Sequence, residues 1–328
     1  MELIINKFGA RIKKKYERIA VSFPNTNQIK EYPVRRLSKI IIMAPSSITS
    51  GAVQLALAHD VDIVYLERRG MPYGRIYGSK PGRLTEVKRK QIETTKSEKA
   101  TYISRQMIFG KITNQQRFLA TLPRDFADQI EKMRSIAQLL NLIKGPIEYA
   151  RDQLFGLEGR AADLYFQALR DIIRFPGRQA QGTDVYNMSL NYGYGILYNE
   201  VERYCLLAGL DPFVGFLHTE RYGKVSLVFD VIEEWRVPVV DSTLIPLFMN
   251  HELADSTEFF GADHLLNKRA RKIIVQAVFD RLHAKTVYNG KTMHMLTAMK
   301  HHTYDLAAYV VGRKREYRPF LYDFGAHT

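Results

Sequence analysis

Across 328 residues there is one cysteine, Cys205, and one tryptophan, Trp235. A single thiol excludes an intrachain disulfide and a cysteine-rich zinc site. In Tyr204-Cys205-Leu206 it reads as a small buried hydrophobe rather than a nucleophile. No uninterrupted apolar run is long enough to span a bilayer. Met1 to Lys15 lacks the apolar core of a secretory signal. No membrane association is therefore expected, and the expected compartment is the cytoplasm. Acidic side chains are also in short supply, 34 against 48 Lys and Arg, which leaves a formal charge of +14. Such an excess attracts polyanions, by counterion release when the partner is nucleic acid. The plain alternative is a basic protein with no such partner. The composition, 46% hydrophobic and 25% charged, is that of a globular chain with a substantial core.

Two kinds of patterning divide the chain. Up to residue 84, short β-branched or apolar runs recur: Leu3-Ile4-Ile5, Ile19-Ala20-Val21, Ile40-Ile41-Ile42 and Ile63-Val64-Tyr65. Pro24-Asn25-Thr26-Asn27, Pro33 and Gly70-Met71-Pro72 punctuate them, as turns punctuate strands. Ser50 to His59, behind a Thr49/Ser50 cap, reads as one helix among the strands. Gly78-Ser79-Lys80-Pro81-Gly82 breaks the pattern, and a polar stretch follows. Helical periodicity then takes over. Ile103, Met107 and Ile108 share one face, and Ile130, Met133, Ile136, Ala137 and Leu140 share another. Lys144-Gly145-Pro146 separates two helices, and further helices are expected at Asp163–Arg174, Ser189–Ala208, Ala270–Leu282 and His294–Val311. The expected fold is α+β: a small N-terminal β-rich domain (1–84), a linker (85–95) and a larger all-helical domain (96–328). No internal repeat is visible.

Three segments of the second domain carry acids and a histidine. Glu158 opens Glu158-Gly159-Arg160-Ala161-Ala162-Asp163-Leu164-Tyr165-Phe166, where Ala161, Ala162, Tyr165 and Leu169 lie near its face. A carboxylate there needs a cation partner, since burying it ionised and alone costs several kcal/mol or more; the alternative is a first-turn glutamate answering the helix dipole. His218 ends Gly215-Phe216-Leu217-His218, where an apolar segment meets a polar loop. Imidazole is a common transition-metal ligand, although a lone histidine is more often a surface or core residue. In Leu227-Val228-Phe229-Asp230-Val231-Ile232-Glu233-Glu234-Trp235-Arg236 the i, i+3 spacing puts Asp230 and Glu233 on one face. Glu234 is rotated away and reads as a solvent or salt-bridge residue. The apolar neighbours argue for a mostly buried helix rather than a solvated charged face. Carboxylates with one imidazole suit Mg²⁺ or Mn²⁺ in phosphoryl transfer, without zinc.

In this order, together with Asn187, Tyr192-Gly193-Tyr194 and Ser226, these segments resemble the CRISPR-associated integrase family over nearly the whole chain. The match departs at Phe175-Pro176-Gly177-Arg178-Gln179, where relatives often carry a more basic stretch, and Trp235 replaces a commoner phenylalanine. The resemblance implies Glu158, His218 and Glu233 as metal ligands, with Asp230 an accessory catalytic acid. Many relatives carry aspartate at the Glu233 position. It implies DNA integration, in which a spacer 3′-hydroxyl attacks a phosphodiester at the leader–repeat junction. It also implies a homodimer through the N-terminal domains and a small ferredoxin-like partner protein. With DNA as substrate, Arg68, Arg69, Lys88 and Lys90, otherwise a solvated charge run, become candidate contacts, as do Tyr165, Arg178 and Lys224. A nuclease or resolvase acting on branched DNA would use the same residues with water as nucleophile. A basic DNA-binding assembly protein with a decayed site is the non-enzymatic alternative. Tyr192-Gly193-Tyr194-Gly195 lacks the full nucleotide-loop fingerprint and reads as close helix packing. His294, His301 and His302 read as solvated or core-edge residues. The basic run Arg313-Lys314-Arg315-Glu316-Tyr317-Arg318 suits a helix C-terminus or DNA.

Overall fold

A computed structural model describes the chain apart from residues 25–27, 68–71, 79–83, 174, 220–223, 255–256, 262–264 and 326–328. It forms two compact units, Met1–Gly82 and Arg83–Thr328.

The first unit holds β1 (Glu2–Ile5), β2 (Ala10–Lys15), β3 (Arg18–Ser22), β4 (Ile29–Pro33), β5 (Lys39–Ile42), β6 (Ser46–Ile48), α1 (Ser50–Ala58), β7 (Asp62–Leu66) and β8 (Pro72–Ile76). Two four-stranded sheets result, ordered β1-β5-β7-β8 and β4-β3-β2-β6. Alternation decides their faces: in β2, Ala10 and Ile12 are buried while Arg11 and Lys13 are exposed. β5 is buried at every position and lies inside its sheet, paired in parallel with β1 and β7. Ile5, Ile12, Ile19, Ile40 and Ile63 from both sheets meet Ala52 and Leu55 of α1 in one core. Thr49 caps α1 by accepting from the Ala52 amide.

The second unit begins with α2 (Leu84–Thr94) and α3 (Glu98–Leu119), followed by α4 (Ala127–Leu139), α5 (Ile147–Ile173), α6 (Val185–Leu207) and α7 (Ser226–Trp235). A π turn, Arg236–Asp241, joins α7 to α8 (Ser242–Met249); α9 (Lys268–His283), the hairpin β9 (Lys285–Tyr288) and β10 (Lys291–His294), and α10 (Met295–Val310) complete it. Two expectations are corrected. Residues 85–95 are helical up to Thr94 rather than a linker, because Gln91 bonds Asp211 O, Asp211 N and Val214 O and so ties α2 into the unit. Nor is the unit all helical. Asn289 and Gly290 take positive φ and turn β9 into β10, as two-residue hairpins require.

α3 runs against α5 and α7 at the centre. A Cβ on Gly193 of α6 would lie 2.6 Å from Val240 Cγ1, so the glycine-rich segment serves close helix packing. After α10 an extended strap lies across α3 and α7. Asn114 of α3 donates to Phe320 O and accepts from Tyr322 N, and Arg117 donates to Tyr322 O. Phe320 stacks on Trp235 at 4.0 Å between ring centroids.

Candidate active site

Glu158 lies well inside α5, so the helix-dipole alternative falls. The stripe Leu154, Leu157, Ala161 and Tyr165 faces the core and carries Glu158 on its edge toward α3. There the Lys111 ammonium contacts Glu158 Oε1 and lies 2.7 Å from Glu233 Oε2. Arg236 Nε donates to Glu233 Oε1 at 3.0 Å. The two glutamates expected to work together therefore share one cation. Burial opposes charge on Glu233, but Arg236 and then Lys111 outweigh it and hold its carboxyl down to about 2. For Lys111, burial works against the ammonium, and Glu233 followed by Glu158 raises its pKa above the ordinary lysine value.

Asp230 does something other than its spacing suggested. It is 1% exposed. Its Oδ2 accepts from Phe216 N at 2.5 Å and Leu217 N at 3.0 Å; its Oδ1 accepts from His218 N at 3.0 Å and faces His218 Nδ1 at 2.7 Å. Both oxygens are engaged by the loop, so Asp230 holds the 216–218 backbone and the His218 ring in place. Gly215 is required by this wrap: a Cβ would lie 2.7 Å from His218 O and 3.0 Å from Asp230 Oδ2. The His218 ring is further held between Phe155 and Phe229. Nδ1–H is given to the Asp230 carboxylate, and among the described residues no hydrogen-bond partner meets Nε2. Burial disfavours the imidazolium, but Asp230, then Glu233 and Glu158, raise its pKa overall. Among the described residues no three His, Cys, Asp or Glu side chains close on a common point as they stand.

Glu234 is a correction too. It is fully buried. It accepts from Tyr317 OH at 2.6 Å and Phe320 N at 2.8 Å, and it meets His302 Nε2 at 2.6 Å. It is thus a buried hydrogen-bond acceptor rather than a solvent-facing acid, and His302 is a buried structural residue.

The family model described as CRISPR associated protein Cas1 matches residues 3–279. The chain belongs to the Cas1 family. The CRISPR-associated endonuclease Cas1 1 of Archaeoglobus fulgidus is 28% identical over 339 residues, covering 96% of this chain and 98% of that protein. A casposase bound to integration product has a similar fold, with a TM-score of 0.81 at 22% identity over 97% of this chain and 92% of that one. A Cas6-RT-Cas1–Cas2 complex contains another, with a TM-score of 0.77 at 18% identity over 98% of this chain and 36% of that one.

The candidate DNA contacts fare unevenly in this Cas1-family chain. Tyr165 is corrected: it is 0% exposed and its hydroxyl donates to Asp241 Oδ2 at 2.9 Å, so it presents nothing to DNA. Asp241 also accepts from Tyr194, and burial pushes the Asp241 carboxyl up against the pull of both hydroxyls and Arg236. Arg178 is half-buried, with its terminal nitrogens on Asn187 and Asn191 and its guanidinium over Tyr194. Lys224 is exposed. Lys88 and Lys90 are exposed on α2, near Asp211 and Glu93. Arg68 and Arg69 lie outside the described residues. In the basic run after α10, Arg313 pairs with Glu86 and Lys314 with Asp305. Sequence reasoning missed Lys111, although it stands four residues after Met107 on the buried face of α3; a lone lysine on an apolar stripe was the available signal.

Proposed function

We propose that this chain is a metal-dependent DNA integrase and endonuclease that inserts short spacers into a CRISPR array at the leader–repeat junction. The observation that carries the reading is the approach of Glu158 and Glu233, from different helices, to one Lys111 ammonium in a basic chain of the Cas1 family. Glu158, His218 and Glu233 would hold Mg²⁺ or Mn²⁺. The donors fit: Glu233 Oε2 is buried without a well-directed hydrogen bond, and two carboxylates with one imidazole and no thiolate suit these ions. When bound, the ion polarises a phosphodiester and stabilises charge on the attacking and leaving oxygens.

The chain's own residues prepare that chemistry. Asp230 fixes the His218 ring and its tautomer. Arg236 holds Glu233 Oε1 and leaves Oε2 facing the gap toward Glu158. In the reaction a spacer 3′-hydroxyl gives up its proton to solvent as its oxygen bonds to phosphorus, the old P–O bond breaks, and the departing 3′-oxygen takes up a proton from solvent. One phosphodiester replaces another, so no ATP is consumed. In this reading the chain acts on DNA with a small ferredoxin-like partner protein and as a homodimer formed through residues before Gly78, as the family resemblance implies.

The test uses supercoiled plasmid and short duplexes with 3′-hydroxyl ends. Strand joining that stops in EDTA is expected, and Glu158→Ala, His218→Ala and Glu233→Ala should each lose about 10²-fold or more. Hydrolysis without joining would favour the nuclease or resolvase. DNA binding with neither activity would favour a non-catalytic assembly protein.

A further inference from the structure

Lys111 stands in the gap that the proposed metal site would need. Its side chain is 12% exposed, and its ammonium spans Glu158 and Glu233, which come from different helices. We propose that Lys111 is a built-in competitor for the divalent cation: it neutralises the two glutamates in the metal-free protein and must withdraw before one ion can be held by both. This inference rests on the metal-site reading above.

The surroundings leave the lysine as the part that moves. α3 and α7 are pinned at close range, since Asn114 Nδ2 donates to Glu234 O at 3.0 Å and a Cβ on Gly110 would lie 3.2 Å from Glu234 Cγ. The backbones that carry Lys111 and Glu233 are therefore fixed, while the lysine ends in a flexible four-carbon stem. Arg236 already serves Glu233 Oε1, so withdrawal of Lys111 bares Oε2 and its neighbour Glu158 Oε1 toward each other. Two such carboxylates, largely removed from water, repel and demand a cation. Two cations cannot occupy the gap that one ammonium spans. The site accordingly exchanges one positive group for another, and the lysine sets how tightly an ion is held.

The experiment titrates Mn²⁺ into full-length protein, with free Mn²⁺ followed by electron paramagnetic resonance, for wild type, Lys111→Met and Glu158→Gln. Lys111→Met should bind at least about tenfold more tightly than wild type, and Glu158→Gln at least about tenfold more weakly, each about 1.4 kcal/mol. Lys111→Met should also melt below wild type in EDTA and recover with Mn²⁺. Equal affinity of Lys111→Met and wild type, with Glu158→Gln still weakened, overturns the competitor role and leaves the metal site standing. Wild-type affinity in Glu158→Gln, or no binding by wild type, overturns the metal site and this inference with it. Should Lys111→Met not fold, the wild type decides the matter: acetylation of Lys111 by a water-soluble active ester, read by mass spectrometry, should be several-fold faster in saturating Mn²⁺ than in EDTA. Equal rates overturn the proposal.

Discussion

Replacing Asp230 by alanine should destabilise the protein more than any catalytic argument would suggest. The carboxylate accepts three backbone amides and faces the His218 Nδ1. Phe216 and Leu217 are buried, so their amides find no water when it is gone, and each stranded donor costs about 1–3 kcal/mol. The His218 ring is 32% exposed and recovers part of its loss from solvent. Together this gives about 3–5 kcal/mol, the range for removing one member of a buried charged network. At 2–4 °C per kcal/mol for a unit of this size, the melting temperature should fall by about 10 °C. The assay is thermal melting in EDTA, so that no bound ion masks the effect. Asp230→Asn, which keeps the volume and one accepting oxygen, should lose about half as much. Its Mn²⁺ affinity should also fall, since the ring is no longer oriented. A drop below about 3 °C for the alanine variant, or equal drops for both, would refute the role assigned to this carboxylate.

Two further outcomes follow from the same geometry. Gly215→Ala forces a Cβ to 2.7 Å from His218 O and 2.8 Å from Ser226 Cβ, so it should cost about 1–3 kcal/mol by urea unfolding; a neutral result would show that the loop is not wrapped as described. Glu233 has its pKa depressed in the folded state from 4.5 to about 2, so its contribution is present above pH 4.5 and lost as the pH falls toward 2. The stability gap between wild type and Glu233→Gln in EDTA should narrow across that window, and a gap independent of pH would contradict the pairing with Arg236 and Lys111.

Periodicity made much of the fold legible. The helices at Ser50, Ser189, Ala270 and His294 sit where their apolar stripes placed them, because each stripe has a core to face. The β9–β10 hairpin was missed although Asn289-Gly290 lies between β-branched residues; neighbouring helical patterns outweighed two turn residues. The polar composition of α2 concealed a helix that the Gln91 side-chain amide ties to the 211–214 segment. At the site, the positions of Glu158 and Glu233 could be read from their acids on apolar faces. The divergence of Asp230, Glu233 and Glu234 could not. Spacing fixes which face of a helix a residue occupies, but the partner that each acid meets comes from distant segments: the 215–218 loop, α3, and the strap beyond α10.

The strap has a consequence for how this protein is made. Tyr317, Phe320 and Tyr322 are translated after every acid of the site, yet they close over Glu234 and Trp235 and tie down Asn114. A nascent chain still lacking them carries all the acids without the packing that aims α7. The order of α7 thus awaits translation of residues 317–322, and a fragment cut short before them keeps Glu158, His218 and Glu233 but lacks the contacts that hold α7.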